Sequence, residues 1–139
     1  HSVLSGGWKG ALGAVLVAVA GISFVAMGIF HCDKGCIPTT SGGSLHLLFG
    51  MVALAAGLCA ALLISRVTAQ ERGWNGYWQY SLFTGVLILV MLPLLLLYPD
   101  KAGLVQRILI GLIFLWMEVL ALRAYVIFRV LPGDLDEPA

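Results

Sequence analysis

The sequence predicts an all-α integral membrane protein, a bundle of four transmembrane helices. Three observations predict it. The chain is 60 % hydrophobic and only 11 % charged, with a mean hydropathy of +1.00. A soluble domain carries about a quarter of its residues charged, so lipid has to be the solvent for much of this chain. Four apolar runs each approach the roughly 20 residues a helix needs to cross the hydrocarbon. These runs are continuous rather than alternating, which excludes a barrel; helices alone then pair every backbone polar group internally.

The first run, Ala11 to Phe30, is uncharged. The second, Leu45 to Ser65, is also uncharged but starts near His46 and holds Cys59, read as a buried free thiol. Ser44 is the expected N-cap of this helix, which places His46 in its first turn. The third run, Tyr80 to Tyr98, is rich in Leu and Val with Pro93 in its second half. The fourth, Val105 to Phe128, contains Glu118 and Arg123. Residues 1–139 read as one transmembrane domain without an internal repeat or soluble part. Because the chain opens at His1 rather than Met, it is expected to be processed, tagged or part of something longer.

Orientation follows from Lys and Arg in the flanking segments. Lys9, Arg66, Arg72 and Arg129 lie on one side, and Lys34, Lys101 and Arg107 on the other. Cys32 and Cys36, four apart in the first loop, suit an oxidising compartment. Both signals put that loop outside a cell (inner) membrane, with the N- and C-termini cytoplasmic. A net charge of +1 argues against a nucleic-acid partner, which demands a concentrated basic face.

Small residues recur at helical spacing in the first two helices: Ala14, Ala18, Gly21, Val25 and Gly28, then Gly50, Ala53, Gly57 and Ala61. Such stripes let membrane helices approach closely. Packing within the chain is the favoured reading, and a self-association face the second. Trp8, Trp74, Tyr77, Trp78, Tyr80 and Tyr98 cluster at predicted helix ends, as interfacial anchors do.

The residues able to carry chemistry are few. A Cys32–Cys36 disulfide is expected; it needs a turn that brings the two α-carbons within about 7 Å, and Gly35 eases such a turn. His31, Cys32 and Cys36 are a weaker metal candidate, since they lack standard zinc spacing and a fourth ligand. Asp33, His46 and Arg107 fall at helix ends on one predicted membrane face, so one hydrogen-bonded cluster is expected there, read first as a clasp over the bundle. Glu118 lies roughly 16 Å from Arg107 along the fourth helix at 1.5 Å per residue. An intramembrane carboxyl usually faces the bundle interior, here with Ser23 or Thr84 as expected partners. Arg123 points elsewhere on the helix and is expected to snorkel to the headgroups. No catalytic role is assigned; the candidates are Asp33, His46, Arg107 and Glu118.

Short motifs carry a resemblance. A helix ending Gly28-Ile29-Phe30 precedes Asp33; a Ser/Thr/Gly loop enters Gly43-Ser44-Leu45-His46; Gly103-Leu104-Val105-Gln106-Arg107 leads to Trp116. From about Gly13 to Arg129 this resembles the bacterial and archaeal membrane family catalogued as domain of unknown function 998. That resemblance implies a six-helix protein of which these are four, and singles out Asp33, His46, Gln106 and Arg107. The cysteine pair looks like an addition to the pattern. A fainter likeness, to the damage-regulated autophagy modulator membrane proteins, rests on the same loop-then-His arrangement. Neither brings a reaction.

Three function classes stay open. A non-catalytic subunit or accessory protein, with the bilayer and other membrane subunits or a second copy as partners, needs only the stripes and anchors. A membrane-embedded enzyme acting on a lipid or lipid-linked substrate at the outer leaflet would use Asp33 and His46 within hydrogen-bond reach of each other. A proton-coupled transporter component would use Glu118, but the chain lacks the broken helices and repeats of such folds. No phosphate loop, Ser–His–Asp pattern or haem-attachment motif occurs, and no cofactor is expected.

Overall fold

The computed structural model describes residues 7–71 and 73–130. They form helices α1 (Gly7–Ile29), α2 (Ser41–Thr68), α3 (Tyr77–Met91), the short α4 (Leu94–Leu97) and α5 (Ala102–Val130). Two 3₁₀ turns, Lys34–Cys36 and Pro99–Lys101, complete the path. Four stretches are long and apolar enough to cross a membrane: Gly7–Ile29, Ser41–Thr68, Tyr77–Leu97 and Pro99–Ile127. The protein is an all-α bundle and a multi-pass membrane protein.

Local chemistry sets the helix ends. Helix α2 starts earlier than expected, and its cap is Thr40 rather than Ser44. The Gly43 N–H donates to Thr40 Oγ1 at 3.1 Å, satisfying one of the donors a helix start leaves open. The third span is not one helix. Pro93 has no N–H to offer the Leu89 carbonyl, so α3 stops after Met91 and the chain resumes as α4. Gly35 takes φ 72°, a left-handed turn that glycine enters without steric cost.

Helix α2 is the most buried of the four spans and α5 the least. The α2 stripe packs as expected: Gly50, Ala53, Gly57 and Ala61 are all buried. A Cβ on Gly57 would meet Ile113 Cδ1 at 2.9 Å, so glycine there lets α5 lie against α2. Around this contact Ala20, Phe24, Ala53, Leu54, Ile88, Val105, Leu109 and Ile113 form one core cluster. Ala60, Ala61, Ile64 and Trp116 form a second.

The α1 stripe corrects the expectation of packing within the chain. Ala14, Ala18, Val25 and Gly28 are exposed, and a Cβ on Gly21 or Gly28 would find nothing within 4 Å. Helix α1 instead buries Gly10, Gly13, Ala20, Ser23 and Phe24. Bulk decides: Phe24 needs the core, and it turns the Ala14–Gly28 stripe outward. Cys59 is likewise exposed on the outer side of α2, not buried as expected.

Candidate functional site

The turn between α1 and α2 is built on Asp33. Its Oδ2 accepts from the Thr39 and Thr40 N–H groups at 2.7 and 2.8 Å, and from Thr39 Oγ1 at 3.1 Å. Its Oδ1 accepts from Thr40 Oγ1 at 2.9 Å. The Thr40 N–H, then the Thr39 N–H and the Thr40 hydroxyl, hold the Asp33 carboxyl below its ordinary value of 3.8. Thr40 does two jobs, because its hydroxyl donates to Asp33 while accepting from the Gly43 N–H. The carboxylate thus sits at the N-terminal end of α2, where the helix dipole favours negative charge. Gly43 makes room for it: a Cβ there would fall 2.6 Å from the Asp33 carboxyl carbon.

His46 serves the other side of the turn. Its Nδ1 lies 2.7 Å from the Phe30 carbonyl oxygen and 3.0 Å from that of Met27. Both are acceptors, so Nδ1 carries the proton and donates to them. This satisfies carbonyls that the end of α1 leaves open. The Phe30 and Phe49 rings stack beside it, 5.8 Å apart with planes 7° from parallel. Gln106 Nε2 reaches Met27 Sδ at 3.6 Å, which joins α5 to the same corner.

The expected single cluster of Asp33, His46 and Arg107 is therefore corrected. Asp33 and His46 belong to two neighbouring sets of bonds, and among the described residues no hydrogen bond or ion pair joins Arg107 to either. The reason is local. Backbone donors six and seven residues along the chain occupy the carboxylate. His46 turns to the end of α1, and Arg107, about 100° around α5 from Gln106, is exposed. Of the residues singled out by resemblance, Asp33, His46 and Gln106 line this corner and Arg107 does not. The expected Cys32–Cys36 bond, and the metal candidate of His31 with both cysteines, fall on the Cys36 side chain, which lies outside the described residues.

Glu118 is exposed, against the expectation that it faces the bundle interior. Thr84, one of its expected partners, donates to the Tyr80 carbonyl at 2.9 Å instead. Two residues from the fully buried Trp116, Glu118 stands about 200° away around the helix. Its surroundings are specific. Phe114, one turn along α5, packs on Phe24 of α1 with ring centroids 5.0 Å apart. On the same side of that contact, Gly21 lies one turn from Phe24 and Glu118 one turn from Phe114. A groove lies between α1 and α5. The groove between them encloses about 300 Å³ and is lined by Ala14, Val17, Met117, Leu120, Ala121 and Ala124, with Trp116 among its buried walls. Glu118 is next in sequence to Met117 of this lining and is exposed.

Two ties, one buried and one half-buried, hold the groove's far wall, and neither follows from the sequence reading. Trp116 Nε1 donates to Ser81 Oγ at 3.0 Å, which joins α5 to α3. A Trp in mid-span is the available signal, because its N–H needs a partner in a dry site. Arg123 donates from Nε to the Gly73 carbonyl at 2.9 Å, and its Nη2 bonds the same oxygen. Its guanidinium also stacks 5.3 Å from the Tyr77 ring centre. It therefore anchors the α2–α3 loop rather than snorkelling freely. Trp74 packs inside this loop, 4 % exposed and edge-on to Tyr77, so it is a packing residue rather than an interfacial anchor.

The family model described as protein of unknown function (DUF998) matches residues 1–123. No curated protein and no solved structure matches the chain.

Proposed function

Because this chain belongs to the DUF998 family, we propose from its own residues that it is a non-catalytic membrane subunit whose α1–α5 groove receives a transmembrane helix of a partner protein. The observation that carries this reading is Glu118, exposed on α5 next in sequence to Met117, which lines a groove together with Ala14, Ala121 and Ala124. It stands sixteen residues from Ala102 and twelve from Val130, roughly 24 and 18 Å from the two ends of α5. A carboxyl at that depth costs about 2.5–3.5 kcal/mol on insertion scales unless something donates to it. Ala14, Ala121 and Ala124 of the lining leave the space in which a neighbouring backbone approaches closely. A partner helix with a hydrogen-bond donor at Glu118 depth fits both features.

The polar turn supports the same reading. Asp33 is occupied by Thr39 and Thr40, and His46 Nδ1 by α1 carbonyls. Both act as a clasp that fixes where α1 ends and α2 begins. With the clasp we place the Cys32–Cys36 disulfide on the outer face, a cytoplasmic N-terminus and the cell (inner) membrane. Impermeant thiol labelling of a cysteine placed at Thr40 in intact cells, with alkylation before and after reduction, checks both placements. Labelling only after permeabilisation reverses the orientation, and two loop thiols open to alkylation without reductant remove the disulfide.

Native electrophoresis of the protein extracted in mild detergent from its own membranes tests the subunit reading. Ala14→Leu narrows the groove from its α1 wall and is expected to release the lone chain from a larger complex. Ile22→Leu, at an exposed α1 position outside the groove's lining, leaves the complex intact. A wild-type protein that migrates alone from native membranes refutes the proposal.

A further inference from the structure

A second groove, between α2 and α3, has a different character. It encloses about 330 Å³ and is lined by Leu62, Ser65, Arg66, Ala69, Trp78 and Leu82. Arg66 lies in the last turn of α2 and Trp78 is the second residue of α3, so both stand where the chain leaves the hydrocarbon. Leu62 is one turn inward from Arg66, and Leu82 one turn inward from Trp78. The groove therefore has a basic, aromatic mouth at headgroup depth and an apolar floor below it.

Its polar groups point to one kind of ligand. Ser65 Oγ is spent on the Leu62 carbonyl at 2.7 Å. Among the described residues no hydrogen bond or ion pair engages the exposed Arg66 guanidinium, which presents a fork suited to phosphate oxygens. The lining offers no carboxylate to an ammonium or choline group. Trp78, partly exposed, has the ring-and-N–H character that settles at the headgroup level. Basic pockets between membrane helices bind anionic head groups on these terms.

We infer that the α2–α3 groove is a binding site for an anionic glycerophospholipid. Arg66 takes the phosphate, Trp78 lies against the glycerol region, and the first acyl methylenes run over Leu62 and Leu82. The proposal concerns the face away from the α1–α5 groove and stands whatever docks there.

Native mass spectrometry of the full chain, delipidated and released from neutral detergent, tests it. With dioleoylphosphatidylglycerol and dioleoylphosphatidylcholine offered at equal concentration, retention of the anionic lipid is expected. Arg66→Gln should cut that retention roughly tenfold, the weight of one charge-assisted contact. Leu82→Trp, which blocks the floor without touching the charge, should reduce it as well. Arg107→Gln removes an exposed cation from the opposite end of the bundle and should leave it unchanged. Inorganic phosphate at millimolar concentration should not displace the lipid, because the acyl contacts are missing. Equal retention of both lipids overturns the inference. So does an equal loss in Arg66→Gln and Arg107→Gln, or displacement by phosphate alone.

Discussion

Replacing Glu118 with Leu separates two accounts of this residue by the sign of the effect. The side chain is exposed on α5, near the middle of a 29-residue helix. On insertion scales a mid-span acid costs about 2.5–3.5 kcal/mol, and a Leu contributes about −0.3 to −0.6. The exchange is therefore worth up to about 3–4 kcal/mol to the lone chain in lipid. Water and headgroups reached by the exposed side chain reduce this to roughly 1–3 kcal/mol. Reversible unfolding of the isolated protein in mixed micelles should show Glu118→Leu more stable than wild type, or at least equal to it. Assembly with the proposed partner helix should move the other way, weakened by roughly tenfold when a hydrogen bond to the carboxyl is lost. An internally bonded carboxyl predicts the reverse for the lone chain, a loss of about 1–3 kcal/mol from the orphaned donor. A destabilised Glu118→Leu monomer would refute the outward-facing reading and, with it, the groove as a docking site.

The Asp33 clasp should be sensitive to acid. Its carboxyl is held below 3.8 by the Thr40 and Thr39 donors, so its contribution is full above the unfolded value and is lost as pH falls through the lower folded one. NMR titration of the Asp33 carboxyl should give a midpoint below 3.8, and Asp33→Asn should abolish the low-pH change at the Thr39 and Thr40 amides; a midpoint at or above that value contradicts the hydrogen bonding described. Across the α3–α5 tie, a double-mutant cycle of Trp116→Phe with Ser81→Ala should return a coupling of about 0.6 kcal/mol and no more than about 1.7. A coupling near zero would mean that the 3.0 Å bond carries no stability.

The helices were legible because the hydrocarbon imposes length and apolarity on each span, and the four runs meet both conditions. Their ends were not, because caps answer to local donors. Ser44 sits next to the first strongly apolar residues and looks like the cap, but Thr40 stands three residues before the Gly43 N–H that Asp33 leaves free for it. Pro93 was visible, and its missing N–H accounts for the break it causes. The Asp33–His46–Arg107 cluster failed for a general reason. Residues at one membrane face share a depth, but depth says nothing about angle around a helix. Gln106 and Arg107 differ by one residue and about 100°, and that difference sends one to the Met27 corner and the other out of the bundle.

The two small-residue stripes, alike but for Val25 in the first, are opposite in fate, which bears on where the chain meets its surroundings. In α2 every stripe position is buried, since this helix has neighbours on several sides and Ile113 presses on Gly57. In α1 the only bulky buried side chain among the described residues is Phe24, and it fixes the helix rotation by reaching α2 and Phe114. The stripe is then turned away by geometry, not by any preference of Ala or Gly for lipid. A helix that merely needed a lipid-facing side would do as well with Leu, Ile or Val at Ala14, Ala18, Gly21 and Gly28, and larger side chains would cover more of its backbone. The proposed partner helix, packing closely against α1, gives small residues there a physical use. Glu118 adds a second feature from α5, because a mid-span carboxyl is stabilised further by a donor brought to it than by the water and headgroups it reaches alone. Ala14 of the stripe lines the groove, and Glu118 follows Met117 of its α5 wall, so the proposed partner helix seated there would pass both, whereas a lipid chain alone would bring the acid no donor.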